Sequence, residues 1–254
     1  MLRNPLTGIL NGVDYTTWSP EVDEFLPAQF NASNWTEGKA TCKAELQKIL
    51  GLDVNPNVPL LGMVGRLAEQ KGLELILGTM RNWVEHNDAQ WVLLGTGDRR
   101  IEAELKRLAE NYPQRVAATL EFSESIAHQI EAASDMFLMP SRYEPCGLNQ
   151  LYSLKYGAVP IVHATGGLYD TVTTLNDDSL AGGTANGFSF SDYSSTAFEA
   201  TLGRACDVYR NERETWQQLV TTGMQQDWSW TRSAQHYAEL YQETVSRVRQ
   251  TICA

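Results

Sequence analysis

Two cations and one carboxylate are the side chains of this sequence best suited to chemistry, and each follows an apolar run. Arg66 and Lys71 stand five residues apart, in a turn at the end of the apolar run 59–67. Arginine presents a planar fork of N–H donors and lysine presents a compact point charge, so the pair could bind one diphosphate. The spacing alone also allows two solvated surface cations.

The carboxylate is Glu144, in a turn that follows the apolar run 136–140. Pro145 stiffens this turn, and Gly147 opens it just before a predicted helix. A carboxylate here could hydrogen-bond a polar ligand or stabilise positive charge that develops on a sugar ring. The alternative is that Glu144 only caps the following helix, because acidic side chains favour helix N-termini.

Two glycine-containing turns also end apolar runs. Gly95 and Gly97 allow close backbone approach before a predicted helix, whose N-terminus favours negative charge. In the second turn, Thr165 is followed by Gly166 and Gly167, which would expose consecutive backbone N–H groups to a phosphate or sugar oxygen. Tight structural turns are the alternative at both places.

All of these candidates lie at the ends of apolar runs that alternate with segments of helical period. The runs occupy residues 59–67, 90–95, 116–122, 136–140, 159–162 and 187–190. Near-continuous apolar strands joined by helices are typical of a parallel sheet covered on both faces. We therefore predict an α/β fold with a Rossmann-like doubly wound parallel sheet. Ligands bind such sheets at the carboxyl ends of the strands.

The pattern divides the chain into three segments. Residues 1–57 are predicted to be a lead-in segment with one helix near 39–50, and residues 58–226 the doubly wound domain. Residues 227–254 carry a final helix from about 231 to 249, where apolar residues recur at helical spacing.

Composition excludes several classes of function. The formal net charge is -11, and an acidic chain repels polynucleotides and anionic membranes, so neither is expected as a partner. No apolar stretch reaches the roughly 18 to 20 residues of a membrane helix, and no leader peptide is expected at the start. The four cysteines and four histidines are scattered without ligand spacing, which indicates reduced thiols and no metal site.

Several motifs occur in the order that one known family shows. They are Asn-Gly-Val-Asp at 11–14, Trp-Ser-Pro at 18–20, Gly-Arg-Leu at 65–67, Gln-Lys-Gly at 70–72, Gly-Thr-Gly-Asp at 95–98, Pro-Ser-Arg-Tyr-Glu-Pro-Cys-Gly-Leu at 140–148, Tyr-Gly at 156–157, Pro-Ile-Val at 160–162 and Thr-Gly-Gly-Leu at 165–168. Over nearly its whole length the chain resembles the C-terminal half of bacterial glycogen synthases and plant starch synthases. The Glu-Pro-Cys-Gly-Leu element, with the later Thr-Gly-Gly-Leu, is the most specific part of the match.

This resemblance implies the donor-binding, C-terminal domain of a retaining glycosyltransferase with the two-domain GT-B arrangement. The implied reaction adds glucose from ADP-glucose, by an α-1,4 linkage, to the non-reducing end of a glucan. Arg66 and Lys71 would hold the diphosphate in place of a metal, so no cofactor is expected. Glu144 would be the catalytic carboxylate beside the donor glucose, acting in either a double displacement or a front-face attack.

The resemblance also implies residues that bind the substrate. Phe122 falls where the family has an aromatic ring near adenine, and Asn11 falls where an asparagine of the interdomain linker reaches the sugar. Contacts to sugar hydroxyls and phosphate oxygens are implied for Gly95, Gly97, Cys146, Gly147, Leu148, Thr165, Gly166, Gly167 and Leu168. His163 is a departure, because family members often carry a basic residue at that position.

The family's N-terminal domain, with its Lys-Thr-Gly-Gly-Leu loop and acceptor-side residues, has no counterpart in this sequence. The expected partners are therefore a nucleotide sugar, an α-glucan acceptor and that N-terminal domain, without which the chain would be inactive. In the family the last helix crosses over to the N-terminal domain. Its apolar residues are expected to be partly exposed here: Trp228, Trp230, Tyr237, Leu240 and Tyr241. The resemblance implies a bacterial cytoplasm or a plastid stroma.

Other functions remain open at this point. The same fold could use UDP-glucose or another nucleotide sugar, because base selectivity depends on the shape of the loop around Phe122. A non-catalytic module that binds nucleotide or glucan is a further alternative, although it would not need Arg66, Lys71 and Glu144 together. A dehydrogenase would require Gly-x-Gly-x-x-Gly directly after the first strand, and residues 62–65 do not supply it.

Overall fold

A single parallel sheet organises the computed structural model, which describes residues 6–252 and their side chains as far as residue 249. Within that range the sheet has six strands: β1 (Leu60–Val64), β2 (Gln90–Leu94), β3 (Val116–Thr119), β4 (Met136–Met139), β5 (Val159–His163) and β6 (Phe188–Phe190). Their order is β3-β2-β1-β4-β5-β6, with every neighbouring pair parallel. This confirms the predicted doubly wound sheet, and its strand order reverses between β1 and β4.

Helices cover both faces of the sheet, as the buried strands require. They are α1 (Trp35–Ile49), α2 (Leu73–His86), α3 (Arg99–Asn111), α4 (Glu124–Ala133), α5 (Asn149–Lys155), α6 (Gly166–Thr171), α7 (Asp177–Ala181), α8 (Ser195–Asn211), α9 (Arg213–Gln225) and α10 (Trp230–Ile252). A 3₁₀ turn, Glu69–Lys71, separates β1 from α2. The short α7 was not predicted, because its signal is local: an Asn176 cap with a reciprocal bond to Ser179.

The hydrophobic core runs along both faces of the strands. All five residues of β2 are buried, which explains why the strands appear in the sequence as continuous apolar runs rather than alternating ones. Side chains that precede residue 58 contribute to the same core, among them Phe30, Cys42, Leu46 and Leu52. Helix α1 therefore packs on the sheet domain, next to α4.

One buried lysine fastens α1 to two other helices. The Nζ atom of Lys39 donates to the carbonyl oxygens of Ala132 (2.9 Å), Ser134 (2.9 Å) and Tyr156 (3.1 Å). These carbonyls lie at the C-terminal ends of α4 and α5, where backbone acceptors lack partners within the helix and a cation is favourable. Burial lowers the pKa of Lys39 to about 8.

Helix α10 begins against the segment that opens the chain. A parallel bridge joins Val13 to Ser229, and the Ser233 hydroxyl donates to Leu10 O. The expected exposure of its apolar face is confirmed: Trp230, Tyr237 and Tyr241 are 50%, 39% and 64% exposed. The other two predicted side chains, Trp228 and Leu240, are half-buried. Among the helices within residues 6–252, none is long and apolar enough to cross a membrane.

Replacement of Lys39 tests the connection between α1 and the ends of α4 and α5. Lys39→Met keeps the apolar stem but leaves three buried carbonyls without their donor, so we expect the free energy of unfolding to fall by about 3 kcal/mol. Lys48→Met, on the same helix but with a side chain 61% exposed, should change it by less than about 0.5 kcal/mol. Urea denaturation measures both, and equal stabilities of the two variants would contradict this role for Lys39.

Candidate active site at the switch point of the sheet

The turns that follow β1 and β4 meet where the strand order reverses. Gly72, at the end of the first turn, has φ +72°, and a side chain there would collide with the carbonyl of Pro140 at the end of β4. Gln70 extends the contact: its carbonyl accepts from Arg142 N (2.9 Å), and its side-chain amide donates to Tyr143 O (3.2 Å). Backbone thus packs directly on backbone, which fixes the two turns relative to each other.

This contact brings together two of the predicted catalytic side chains. Lys71 Nζ lies 2.6 Å from Glu144 Oε2, and the hydroxyl of Ser141 donates to the same oxygen at 3.1 Å. Glu144 is only 8% exposed, and no partner for its Oε1 is found among the described residues. The alternative that Glu144 merely caps α5 is wrong, since α5 has no side-chain cap.

Arg66 has a different environment from Lys71. Its side chain is exposed, and its guanidinium donates to Gln70 Oε1 at 3.1 Å. Lys71 is half-buried and paired with a carboxylate. Because an exposed hydrogen bond to a neutral amide is easily exchanged, Arg66 is available to an incoming anion, whereas Lys71 would first have to leave Glu144.

The Thr-Gly-Gly-Leu turn packs against the Glu144 turn. Gly167 N donates to Glu144 O at 3.0 Å, so this N–H is not exposed to a ligand as the sequence led us to expect. Any side chain at Gly166 would clash with the same carbonyl, and one at Gly167 would clash with Cys146 O. Thr165 is the N-cap residue of α6, and Leu168 is fully buried beneath the turn.

The segment around Asn11, which precedes α1, contacts the turn that carries Glu144 and Cys146. Asn11 N donates to Cys146 Sγ at 3.4 Å, and the side chain of Asn11 is exposed. Gly147 and Leu148, half-buried, lead from Cys146 into α5. The predicted substrate residues after β4 and β5 therefore lie together, with Asn11 beside them.

A cavity of about 360 Å³ opens next to Arg66. Among the predicted residues, Arg66, Gly95 and Phe122 line it. Phe122 is 91% exposed, so its ring is free to stack on a planar ligand group. Gly97 does not line the cavity: its N–H donates to Glu102 Oε1 at 2.8 Å.

Sequence reasoning missed several residues of the cavity wall: Trp18, Thr96, Glu131, Asn149 and Tyr152. The ring of Trp18 is stacked between His128, at 3.7 Å, and Tyr152, at 4.0 Å. Its motif was recognised, but spacing could not show that Trp18 reaches the cavity. One pattern could have indicated Glu131. It stands four residues after Ala127, so both lie on the same face of α4, and that face lines the cavity.

Within residues 6–252, no group of three or more His, Cys, Asp or Glu side chains could hold a metal ion. The positive charge at the site comes instead from Arg66 and Lys71. Metal independence stays a prediction.

The backbone contact between the two turns can be tested at Gly167. Gly167→Ala should lower the free energy of unfolding by about 2 kcal/mol, because its methyl group would collide with Cys146 O. Gly203→Ala, in the middle of α8 with open space around it, should raise stability by up to about 1 kcal/mol. Thermal or urea denaturation distinguishes these opposite signs, and a stabilising Gly167→Ala would contradict the contact.

Comparison with known proteins places this chain in a family. The chain is 45% identical to a glycogen synthase of Rhodopirellula baltica over 246 residues, which are 96% of this chain and 48% of that protein. It is 52% identical to a glycogen synthase of Anaeromyxobacter dehalogenans over 236 residues, or 93% of this chain and 48% of that protein. The chain thus spans about half the length of the curated relatives it matches.

A solved structure gives the same result. The catalytic domain of starch synthase IV from Arabidopsis thaliana, bound to ADP and acarbose, matches 94% of this chain and 49% of its own, with a TM-score of 0.87 and 40% identity. These similarities confirm the resemblance to glycogen and starch synthases. The family model for "Glycosyl transferases group 1" matches residues 45–218, and the chain therefore belongs to that family.

Proposed function

We propose that this chain binds ADP-glucose and forms the donor half of a retaining enzyme that adds α-1,4-linked glucose to the non-reducing end of a glucan. The observation that carries the proposal is the Lys71–Glu144 pair at the switch point, beside a cavity edged by Arg66 and Phe122. Adenine as the base is supported by the starch synthase IV structure, which holds ADP at 40% identity to this chain.

The chemistry requires charge stabilisation on two sides of one bond. When the bond between glucose and phosphate breaks, negative charge grows on the departing ADP, and Arg66 and Lys71 would stabilise it as it develops. The sugar ring acquires positive charge, and Glu144 is the carboxylate that would face it. Double displacement and front-face attack both make this use of Glu144.

The ion pair gives Lys71 a specific part in donor binding. Without donor, its charge is balanced by Glu144 at 2.6 Å. A diphosphate carries more charge than one carboxylate, and the flexible lysine stem allows Nζ to turn towards it. Glu144 would then lose one of its two donors just as the sugar arrives.

The proposal extends to partners that this chain does not contain. Since the chain spans about half of its relatives, the acceptor glucan would bind between it and an N-terminal domain, and the chain alone would be inactive. No metal is needed in this scheme, because the two cations supply the charge. A donor other than ADP-glucose is the competing possibility for the same site.

Calorimetric titration with ADP, ADP-glucose, UDP and UDP-glucose, in the presence of a chelator, tests donor binding. We expect metal-independent binding that favours the adenine nucleotides. Arg66→Ala and Lys71→Ala should each weaken ADP binding by about tenfold, because each removes a charge-assisted contact to phosphate. Lys106→Ala, whose side chain is 69% exposed on α3, should leave it unchanged.

Affinity like that of the parent chain in both cation variants would refute the diphosphate clamp. A preference for the uridine nucleotides would retain the fold and the chemistry but replace the donor. Binding that disappears with the chelator would show that a metal is required.

The role of Glu144 is tested by turnover in the full-length enzyme. Glu144→Gln should lower kcat by about a thousandfold, since a neutral amide cannot stabilise charge on the sugar. ADP binding should stay the same or tighten, because Lys71 is freed from its partner. Glu110→Gln, with a side chain 65% exposed, is the matched control for both assays. Near-normal turnover of Glu144→Gln would remove this residue from the mechanism.

A further inference from the structure

A carboxyl group that the proposed chemistry does not use lies in the wall of the cavity. Glu131, on α4, is 1% exposed and lines the cavity. One of its oxygens, Oε2, lies 2.7 Å from the hydroxyl of Ser153 on α5. No partner for the other oxygen, Oε1, is found within residues 6–249. Because Glu131 lines the cavity, this oxygen can accept a hydrogen bond from a ligand or a water molecule there.

Counting protons shows which form of Glu131 the structure favours. The Ser153 hydroxyl lies 2.7 Å from Glu131 Oε2 and also 2.7 Å from Asn149 O. A hydroxyl donates only one proton, and a carbonyl oxygen only accepts. If Ser153 donates to Asn149, the proton in the other contact must sit on Oε2. Both short contacts are then satisfied by a neutral carboxyl group.

Burial acts in the same direction. Burial raises the pKa of Glu131 well above the ordinary range, and the contact with Ser153 and the charge of Lys39 oppose this rise only in part. The ammonium of Lys39 is already bonded to three backbone carbonyls, so it is not a free counter-ion for Glu131. With the proton on Oε2, the unpartnered Oε1 is a carbonyl-type acceptor.

The wall around Glu131 indicates the kind of ligand group that would meet this acceptor. Asn149 and Tyr152, close to Ser153 on α5, also line the cavity and add polar atoms there. The amide nitrogen of Asn149 is used by Val64 O at 2.7 Å, which leaves its oxygen as another acceptor. Apolar residues line other parts of the wall: Val64, Leu94 and Ala127. A sugar with neighbouring hydroxyl groups, attached to a flat apolar ring, has polar and apolar parts that match these two parts of the wall.

We infer that Glu131 is a binding residue for the nucleotide, in which Oε1 of a neutral carboxyl group accepts a hydrogen bond from a ribose hydroxyl. The inference rests on the proposed function, because it takes the cavity beside Arg66 and Phe122 to hold a nucleoside diphosphate. A neutral carboxyl group suits that ligand, since an ionised one would repel the diphosphate. Glu131 would thus contribute to affinity without opposing the two cations.

Titration of the chain with ADP, 2′-deoxy-ADP and 3′-deoxy-ADP tests this contact. The parent chain should bind one of the two, the one that lacks the hydroxyl bonded to Glu131, about fivefold more weakly than ADP. A loss of affinity of about fivefold is the usual effect of removing one hydrogen bond. Glu131→Met should bind ADP about fivefold more weakly than the parent chain does, and it should bind that deoxynucleotide as well as it binds ADP. Glu131→Gln should behave like the parent chain, because its amide can donate to Ser153 while its oxygen accepts from the ribose.

The outcomes separate this inference from the proposed function. If the parent chain binds no nucleotide, both fail. If it binds ADP but Glu131→Met binds ADP equally well, only the inference fails. A loss in Glu131→Met that is the same for ADP and both deoxynucleotides would show a merely structural role. Should Glu131→Met not fold, equal binding of all three nucleotides by the parent chain would still overturn the contact.

The pH dependence of stability gives a second readout for the neutral carboxyl group. The pKa of Glu131 is raised in the folded chain, so its favourable contribution is complete below the unfolded pKa of about 4.3 and is lost as pH rises. The free energy of unfolding of the parent chain should therefore fall relative to Glu131→Gln between pH 4.5 and pH 8, as measured by urea denaturation. A constant difference across this range would overturn the neutral form.

Discussion

Backbone packed on backbone at the carboxyl ends of β1, β4 and β5 is the constraint on which the whole site depends. A parallel sheet whose order reverses between β1 and β4 leaves a crevice there, but a crevice alone places side chains only loosely. Here the turn at Gly72 contacts the end of β4, and the turn at Gly167 contacts the one that carries Glu144. Side chains would hold these turns apart, so glycine is what brings the two charges of the Lys71–Glu144 pair within 2.6 Å.

The electrostatics of the site differ from those of the chain as a whole. A chain with a net charge of -11 repels an anionic ligand at long range, and that repulsion is screened within about 10 Å at moderate salt. Binding of an anion would therefore depend on charges in direct contact with it. Arg66 is exposed, Lys71 is paired with Glu144, and Glu131, which we infer to be neutral, adds no negative charge. The two cations would favour an anion locally, and a neutral Glu131 would not repel it.

Sequence patterns predicted the periodic elements and the motifs specific to the family. They did not predict which backbone N–H groups are already used in hydrogen bonds within the protein. The strands followed from apolar runs, and the order of the motifs followed from the resemblance to a family. Lys71 and Glu144 were expected at the same edge of the sheet, but not as an ion pair. Spacing could not show that Gly97 and Gly167 already use their N–H groups within the protein. Helix α1 begins at Trp35, four residues before its predicted start, because packing overrides the low helix propensity of its first turn.

The lysine that joins α1 to the ends of α4 and α5 also has a mechanical consequence. Those two helices form part of the cavity wall, and they are joined where Glu131 of α4 contacts Ser153 of α5. Because Lys39 bonds to both helix ends, the walls cannot separate without exposing several carbonyls at once. The shape of the cavity should therefore be the same with and without a ligand, and the amides in the middle of α4 and α5 should exchange with solvent only when the whole domain unfolds.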